Sequence, residues 1–176
     1  MEHPPGPDDF RRLFHETNRR VYAFVRRYAT ESDCDDLIAE VYLAAWRHFD
    51  QLPAEPLPWL LGTARKVLAN HWRSRGRRQR LAVEMAGISQ LATADCATQA
   101  VDRADLVAAL RRLREEDREI LLLVGWDGLD STQAAQVLHC SPQAARARLS
   151  RARKRLAECL TEAEPVTQLQ LLTEAN

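Results

Sequence analysis

The sequence predicts an all-α chain made of two small helical modules joined by a flexible linker. Three observations carry this expectation. Apolar residues recur at three- and four-residue spacing over most of residues 9–75 and 103–160, as helices with one buried face require. No stretch alternates apolar and polar residues in the two-residue period of a half-buried strand. Between the periodic stretches, residues 81–102 are rich in Ala, Thr and Gln, contain Gly87 and show no strong period. That segment reads as a linker with room for a short helical turn. The 176 residues are enough for one ordinary domain or two small ones.

The first helix is expected from about Asp9 to Ala29. Phe10, Leu13, Phe14, Thr17, Val21, Phe24, Val25 and Tyr28 share a face, and Arg11, Arg12, Arg19, Arg20, Arg26 and Arg27 lie mostly elsewhere. A second runs from about Asp33 to Phe49, capped by Ser32 or Asp33, with Asp35 and Asp36 at the positive end of its dipole. Leu37, Ile38, Val41, Ala44, Ala45, His48 and Phe49 form its apolar stripe, while Asp36, Glu40, Leu43 and Arg47 fall on a different face. Prolines in QLPAEPLP end it and stiffen a loop. A third helix, from about Leu57 to Arg75, turns Trp59, Leu60, Ala64, Val67, Leu68, His71 and Trp72 inward and Arg65, Lys66, Asn70, Arg73 and Arg77 outward. Beyond the linker, Leu106, Leu110 and Leu113 suit one helix, and Ile120, Leu121, Val124 and Trp126 the next. WDGLD interrupts, then helices are expected from about Thr132 to Leu138 and from Pro142 to Leu160. The modules therefore span residues 9–80 and 103–162, with a tail at 163–176.

Composition narrows the function. No apolar run approaches the roughly 20 residues of a membrane span, and the N-terminus lacks a secretory pattern, so a cytoplasmic protein is expected. The net charge is zero, yet no Asp or Glu occurs between Glu55 and Glu84 or between Asp130 and Glu158, and both gaps are rich in Arg. A neutral average thus hides two basic patches suited to phosphates. There is no Gly-rich phosphate loop, no metal-ligand cluster and no nucleophile–base pair, so neither a cofactor nor an enzyme is expected. Cys34, Cys96, Cys140 and Cys159 lack zinc or redox spacing and read as small apolar fillers. Cys34 is the one for which a helix N-terminus could lower a thiol pKa.

The second module carries a helix-turn-helix pattern. Ala134, Ala135, Val137 and Leu138 end a short helix, His139 and Cys140 make the turn, and Ser141 caps the next helix with Pro142 in its first turn. Gln143, Arg146 and Arg148 are placed for base or near-base contacts, as the N-terminal part of such a helix enters the major groove. Arg151, Arg153 and Lys154 suit phosphates or packing, and no acid intervenes to pair with them along the helix.

These motifs resemble an extracytoplasmic-function (group 4) sigma factor, the minimal two-domain type. DDLIAEVYLAAW, from Asp35, resembles region 2.2, which binds the clamp helices of the largest subunit of RNA polymerase. PWLLGTARKVLANHWRSRGRR, from Pro58, resembles regions 2.3 and 2.4, which melt and read the minus-10 element. LREEDREILLLVGWDGLDSTQAAQVLHCSPQAARARLSRARKRL, from Leu113, resembles region 4, which reads the minus-35 element and binds the polymerase flap. The resemblance implies polymerase contacts at Asp36, Ala39, Glu40, Leu43 and Arg47. It implies minus-10 contacts at Arg65, Lys66, Asn70, Arg73, Arg75, Arg77 and Arg78. For the minus-35 element it implies Ser141, Gln143, Ala144, Arg146, Arg148, Arg151, Arg153 and Lys154. The partners it implies are core RNA polymerase, promoter DNA and, as for many relatives, an anti-sigma factor. Ala39 stands where glutamine is usual, Lys66 where Asn is frequent, and Ala144–Ala145 where Thr-Val is frequent.

A reach estimate bears on the linker. Promoter elements about 17 base pairs apart are separated by roughly 58 Å. About 22 extended residues span at most roughly 75 Å, whereas the same segment as one helix spans roughly 33 Å. An extended linker is therefore expected. The competing readings are a stand-alone helix-turn-helix regulator that binds an operator, and a sigma-like interaction module without initiation activity.

Overall fold

The computed structural model describes residues 6–73, 76–95 and 100–161, without side chains at 77, 78, 90–95 and 100–103. Every regular element among them is helical: α1 (Pro7–Tyr28), α2 (Glu31–Arg47), a single 3-10 turn (Phe49–Gln51), α3 (Leu57–Trp72), α4 (Arg77–Asp95), α5 (Ala100–Arg112), α6 (Glu115–Gly125), α7 (Ser131–Leu138) and α8 (Pro142–Thr161). The all-α expectation holds. Most predicted faces hold too: Leu13, Thr17, Val21, Phe24, Val25 and Tyr28 are buried in α1, and Leu37, Ile38, Val41 and Ala45 in α2. His48 is an exception. It is exposed, and its ring Nδ1 lies 2.9 Å from the Ala44 carbonyl oxygen at the end of α2.

The two modules share a core. One apolar cluster runs from Leu13 and Val21 of α1 through Leu60 and Leu61 of α3 to Val137 of α7 and Leu149 and Ala152 of α8. The link is α3, buried on two sides because WLLG is apolar without interruption. Leu60, Ala64 and Leu68 face α1 and α2, and Gly62 faces α7, where a Cβ would lie 3.7 Å from the Val137 Cα. Three helices alone do not close the first module.

The expectation of an extended linker is corrected. Residues 77–95 form α4, packed against both α1 and α5. Met85 and Ile88 enter a second apolar cluster with Leu110, Leu113 and Leu122. Gly87 meets α1 backbone to backbone, so closely that a Cβ there would sit 2.5 Å from the Arg27 carbonyl oxygen. A helix covered on several sides has no single apolar stripe, and for that reason the period was invisible.

Buried ion pairs tie these layers together. Arg27, expected outside the core, is fully buried and meets Asp127 through two hydrogen bonds of 2.6 and 3.1 Å. Arg20 adds a hydrogen bond to the Asp127 carbonyl. Arg118 on α6 grips Glu84 on α4 with bonds of 2.7 and 3.0 Å, and both are buried. Burial opposes the Arg118 charge, but Glu84 more than offsets it and the pKa is raised.

Candidate nucleic-acid interface

The recognition unit is built locally. Asp130 caps α7: its carboxylate accepts from the Thr132 and Gln133 amides at 2.7 and 2.8 Å, and Gln133 returns a bond to the Asp130 amide at 3.0 Å. At the other end His139 adopts a left-handed conformation, φ 53° and ψ 46°. That lets the Cys140 amide bond the Ala135 carbonyl at 3.0 Å, closing the helix as a Schellman turn. Ser141 then caps α8, accepting the Ala144 amide at 3.1 Å. The turn thus aims the start of α8 away from α7. Replacing His139 with Val should cost about 1–2 kcal/mol, because a β-branched residue tolerates this conformation poorly. His139→Gly should cost nothing comparable. Thermal melts, with an expected drop of roughly 2–8 °C for the valine variant, check this.

Leu149 and Ala152 pin α8 to the core together with Ala145. Ser141, Gln143, Ala144, Arg146, Arg151, Arg153 and Lys154 are exposed, while Arg148 is half-buried on the flank. Arg155, in the same basic run, is spent on an ion pair with the buried Asp117 of α6.

The basic surface of α3 is more mixed. Lys66, Asn70 and Arg73 are exposed, with Arg73 donating to the Asn70 side chain at 2.8 Å. Arg65 departs from the expectation of a free cation. Its guanidinium forks onto Glu119 of α6 with bonds of 2.6 and 3.2 Å, and that hydrogen bonding raises its pKa. Arg75 lies outside the described residues, as do the side chains of Arg77 and Arg78. Trp72, buried, donates its indole N–H to the Tyr28 carbonyl at 2.8 Å, a structural role.

A cavity of about 560 Å³ lies where the modules meet, lined by Pro53, Trp59 and Lys66 on one side and Gln136, His139 and Cys140 on the other. His139 has a lowered pKa from partial burial and then from the charges of Lys66 and Arg65. The basic face of the first module and the turn of the second are therefore neighbours.

On α2, Asp36, Ala39, Glu40, Leu43 and Arg47 are all exposed and line one face. Leu43 is 47% exposed, and Trp46, three residues on, is 49% exposed with its ring edge-on to Phe10 at 5.0 Å. Trp46 extends this apolar patch and was not singled out from the sequence, although an aromatic at the i+3 position signals it. Cys34 is buried, and burial pushes its thiol pKa up, opposite to an activated thiol.

Residues 13–78 match the family Sigma-70 region 2, and residues 103–156 match Sigma-70, region 4. The chain is 34% identical over 130 residues to the ECF RNA polymerase sigma factor EcfG of Rhodopseudomonas palustris, covering 72% of this chain and 70% of the relative. It is 32% identical over 152 residues to SigC of Mycobacterium tuberculosis, covering 85% and 80%. The chain belongs to the extracytoplasmic-function sigma factors. As such it directs promoter-specific transcription initiation. The probable sigma factor RfaY of Xanthomonas campestris is 35% identical over 127 residues, 68% of this sigma factor but only 32% of that longer relative. Two solved structures share the fold. One is CnrH in complex with the cytosolic domain of CnrY, at 22% identity and TM-score 0.62 over 90% of this chain and 91% of that one. The other is RpoE in complex with the anti-sigma factor NepR from Bartonella quintana, at 23% and 0.62 over 88% and 98%.

Among the described residues, no helix is long and apolar enough to cross a membrane, and no cluster of His, Cys, Asp and Glu could hold a metal.

Proposed function

We propose that this sigma factor divides its work among three surfaces. The start of α8, with Ser141, Gln143, Ala144, Arg146 and Arg148, reads the minus-35 element, and Arg151, Arg153 and Lys154 hold phosphates. The outer face of α3, with Arg65, Lys66, Asn70 and Arg73, continues through Arg75, Arg77 and Arg78 onto the minus-10 element. The α2 face from Asp36 to Arg47 docks on the clamp helices of core RNA polymerase. The corresponding modules are residues 9–80 and 103–162. The protein acts in the cytoplasm by binding and not by catalysis, and an anti-sigma factor is its expected regulator.

The observation that carries this reading is the acid-free row of exposed cations on α8, aimed by a capped turn. Run-off transcription on a genomic promoter library, with core polymerase in the presence and absence of the protein, tests it. Tight, sequence-specific binding to DNA without core polymerase would instead favour a stand-alone operator binder. For the α2 face, Leu43→Glu should weaken core binding by about 2 kcal/mol, roughly 30-fold. Its melting temperature should stay unchanged, since half of Leu43 already meets water. Undiminished affinity for core polymerase would mean that the wrong face is assigned.

A further inference from the structure

Among the described residues, three large apolar side chains are exposed: Tyr22 at 40%, Leu43 at 47% and Trp46 at 49%. Leu43 and Trp46 lie on α2, whose outer face is read above as the docking face for core polymerase. Tyr22 lies on α1 and belongs neither to the core nor to a DNA-facing helix. An exposed aromatic ring on a helix rich in arginine calls for a partner.

The register of the two helices places Tyr22 beside the α2 face. Thr17 bonds Tyr42 at 2.9 Å, the Phe10 ring meets Trp46 at 5.0 Å, and Arg26 reaches Glu31 at 3.4 Å. Each step along α1 is thus matched by a step back along α2. The same register sets Asn18 level with Ala39, and Tyr22 level with Asp35, one turn away. Tyr22 follows Phe14 by eight residues and precedes Arg26 by four, and both of those touch α2. It therefore stands on the edge of α1 that borders α2.

The distribution of charge points the same way. Ala39, Leu43 and Trp46 form one row of α2, and Trp46 leans on Phe10, so this row is the side next to α1. Asp36, Glu40 and Arg47 form the side away from α1. A docking surface has an apolar centre within a polar rim. On α2 alone, charge borders the apolar row on one side only. The other border is on α1, where exposed Arg19 and half-buried Arg26 flank Tyr22. At about 1.5 Å per residue from Phe10, which touches Trp46, to Tyr22, the apolar strip is roughly 18 Å long, enough for about three turns of a partner helix.

Resting on the reading of α2 as the polymerase face, we propose that α1 completes that surface and that Tyr22 anchors its far end. The ring is stiff and loses little freedom when covered. Ala39, one turn along, adds only a methyl group, so a partner side chain can lie against the ring.

The test uses the full chain and core polymerase, with competition against labelled wild type as the measure of affinity. Tyr22→Ala should bind about tenfold more weakly. Its Tm should not fall, since the ring is exposed. Tyr22→Phe should bind within about twofold of the wild type, because the ring supplies most of the contact. Glu16→Ala, exposed on another flank of α1, should bind as the wild type does. Leu43→Glu, measured alongside, judges the α2 reading by itself. If Leu43→Glu weakens binding and Tyr22→Ala does not, the surface ends at α2 and the proposal falls while the α2 reading stands. If neither weakens binding, both fall. A lower Tm for Tyr22→Ala, a loss by Tyr22→Phe as large as that by Tyr22→Ala, or an equal loss by Glu16→Ala also overturns the proposal.

Discussion

Replacing Arg146 and Arg148 together with Ala should abolish promoter selection while leaving the affinity for core polymerase intact. Each arginine that forks onto a base contributes about 1–3 kcal/mol of discrimination, so the pair removes roughly 2–6 kcal/mol. Arg146 is exposed near the start of α8, and Arg148 stands half-buried on its flank. Neither has a hydrogen-bond or ion-pair role that holds the helix in place. That role falls to Ala145, Leu149 and Ala152, which are buried. The double variant should therefore melt like the wild type. Footprinting of the holoenzyme and run-off transcription check the effect. An unchanged promoter preference would remove α8 from the minus-35 assignment. The exposed Arg151, Arg153 and Lys154 provide an internal contrast: their loss should weaken all promoters alike and flatten the salt dependence.

The largest stability effect is expected at Gly87. A Cβ at this position would lie 2.5 Å from the Arg27 carbonyl oxygen and 2.7 Å from its Cα, and both are backbone atoms that cannot swing aside. Gly87→Ala should then cost about 3 kcal/mol, because either α4 lifts from α1 or the helices deform. For a chain of this size that is a fall of roughly 6–12 °C in Tm. The direction is diagnostic. On an exposed helix the same change would stabilise, since Ala is the better helix former. A raised Tm would show that α4 does not pack on α1.

What was legible in the sequence was what is local. The capped turn from Asp130 to Ser141 closes through hydrogen bonds between residues two to five apart, so its residues announce it. The faces of α1 and α2 were legible because the buried residues of each fall on one side of the helix. α4 was not, since Met85 and Ile88 face one cluster while Gly87 faces another helix, and the period cancels. Nor could the chain announce that Arg65 meets Glu119, 54 residues on, or that Arg27 meets Asp127, 100 residues on. Arg27 did leave one trace. It lies three residues after Phe24 and next to Tyr28, on an otherwise apolar arc of α1.

That separation of 100 residues between Arg27 and Asp127 also has a meaning in time. A ribosome adding about 5–20 residues per second finishes α1 some seconds before the carboxylate that will cover Arg27 exists. During that interval the surface later buried against the second module faces water. A leucine there would make the nascent chain adhesive. An arginine there stays hydrated until Asp127 emerges to pair with it.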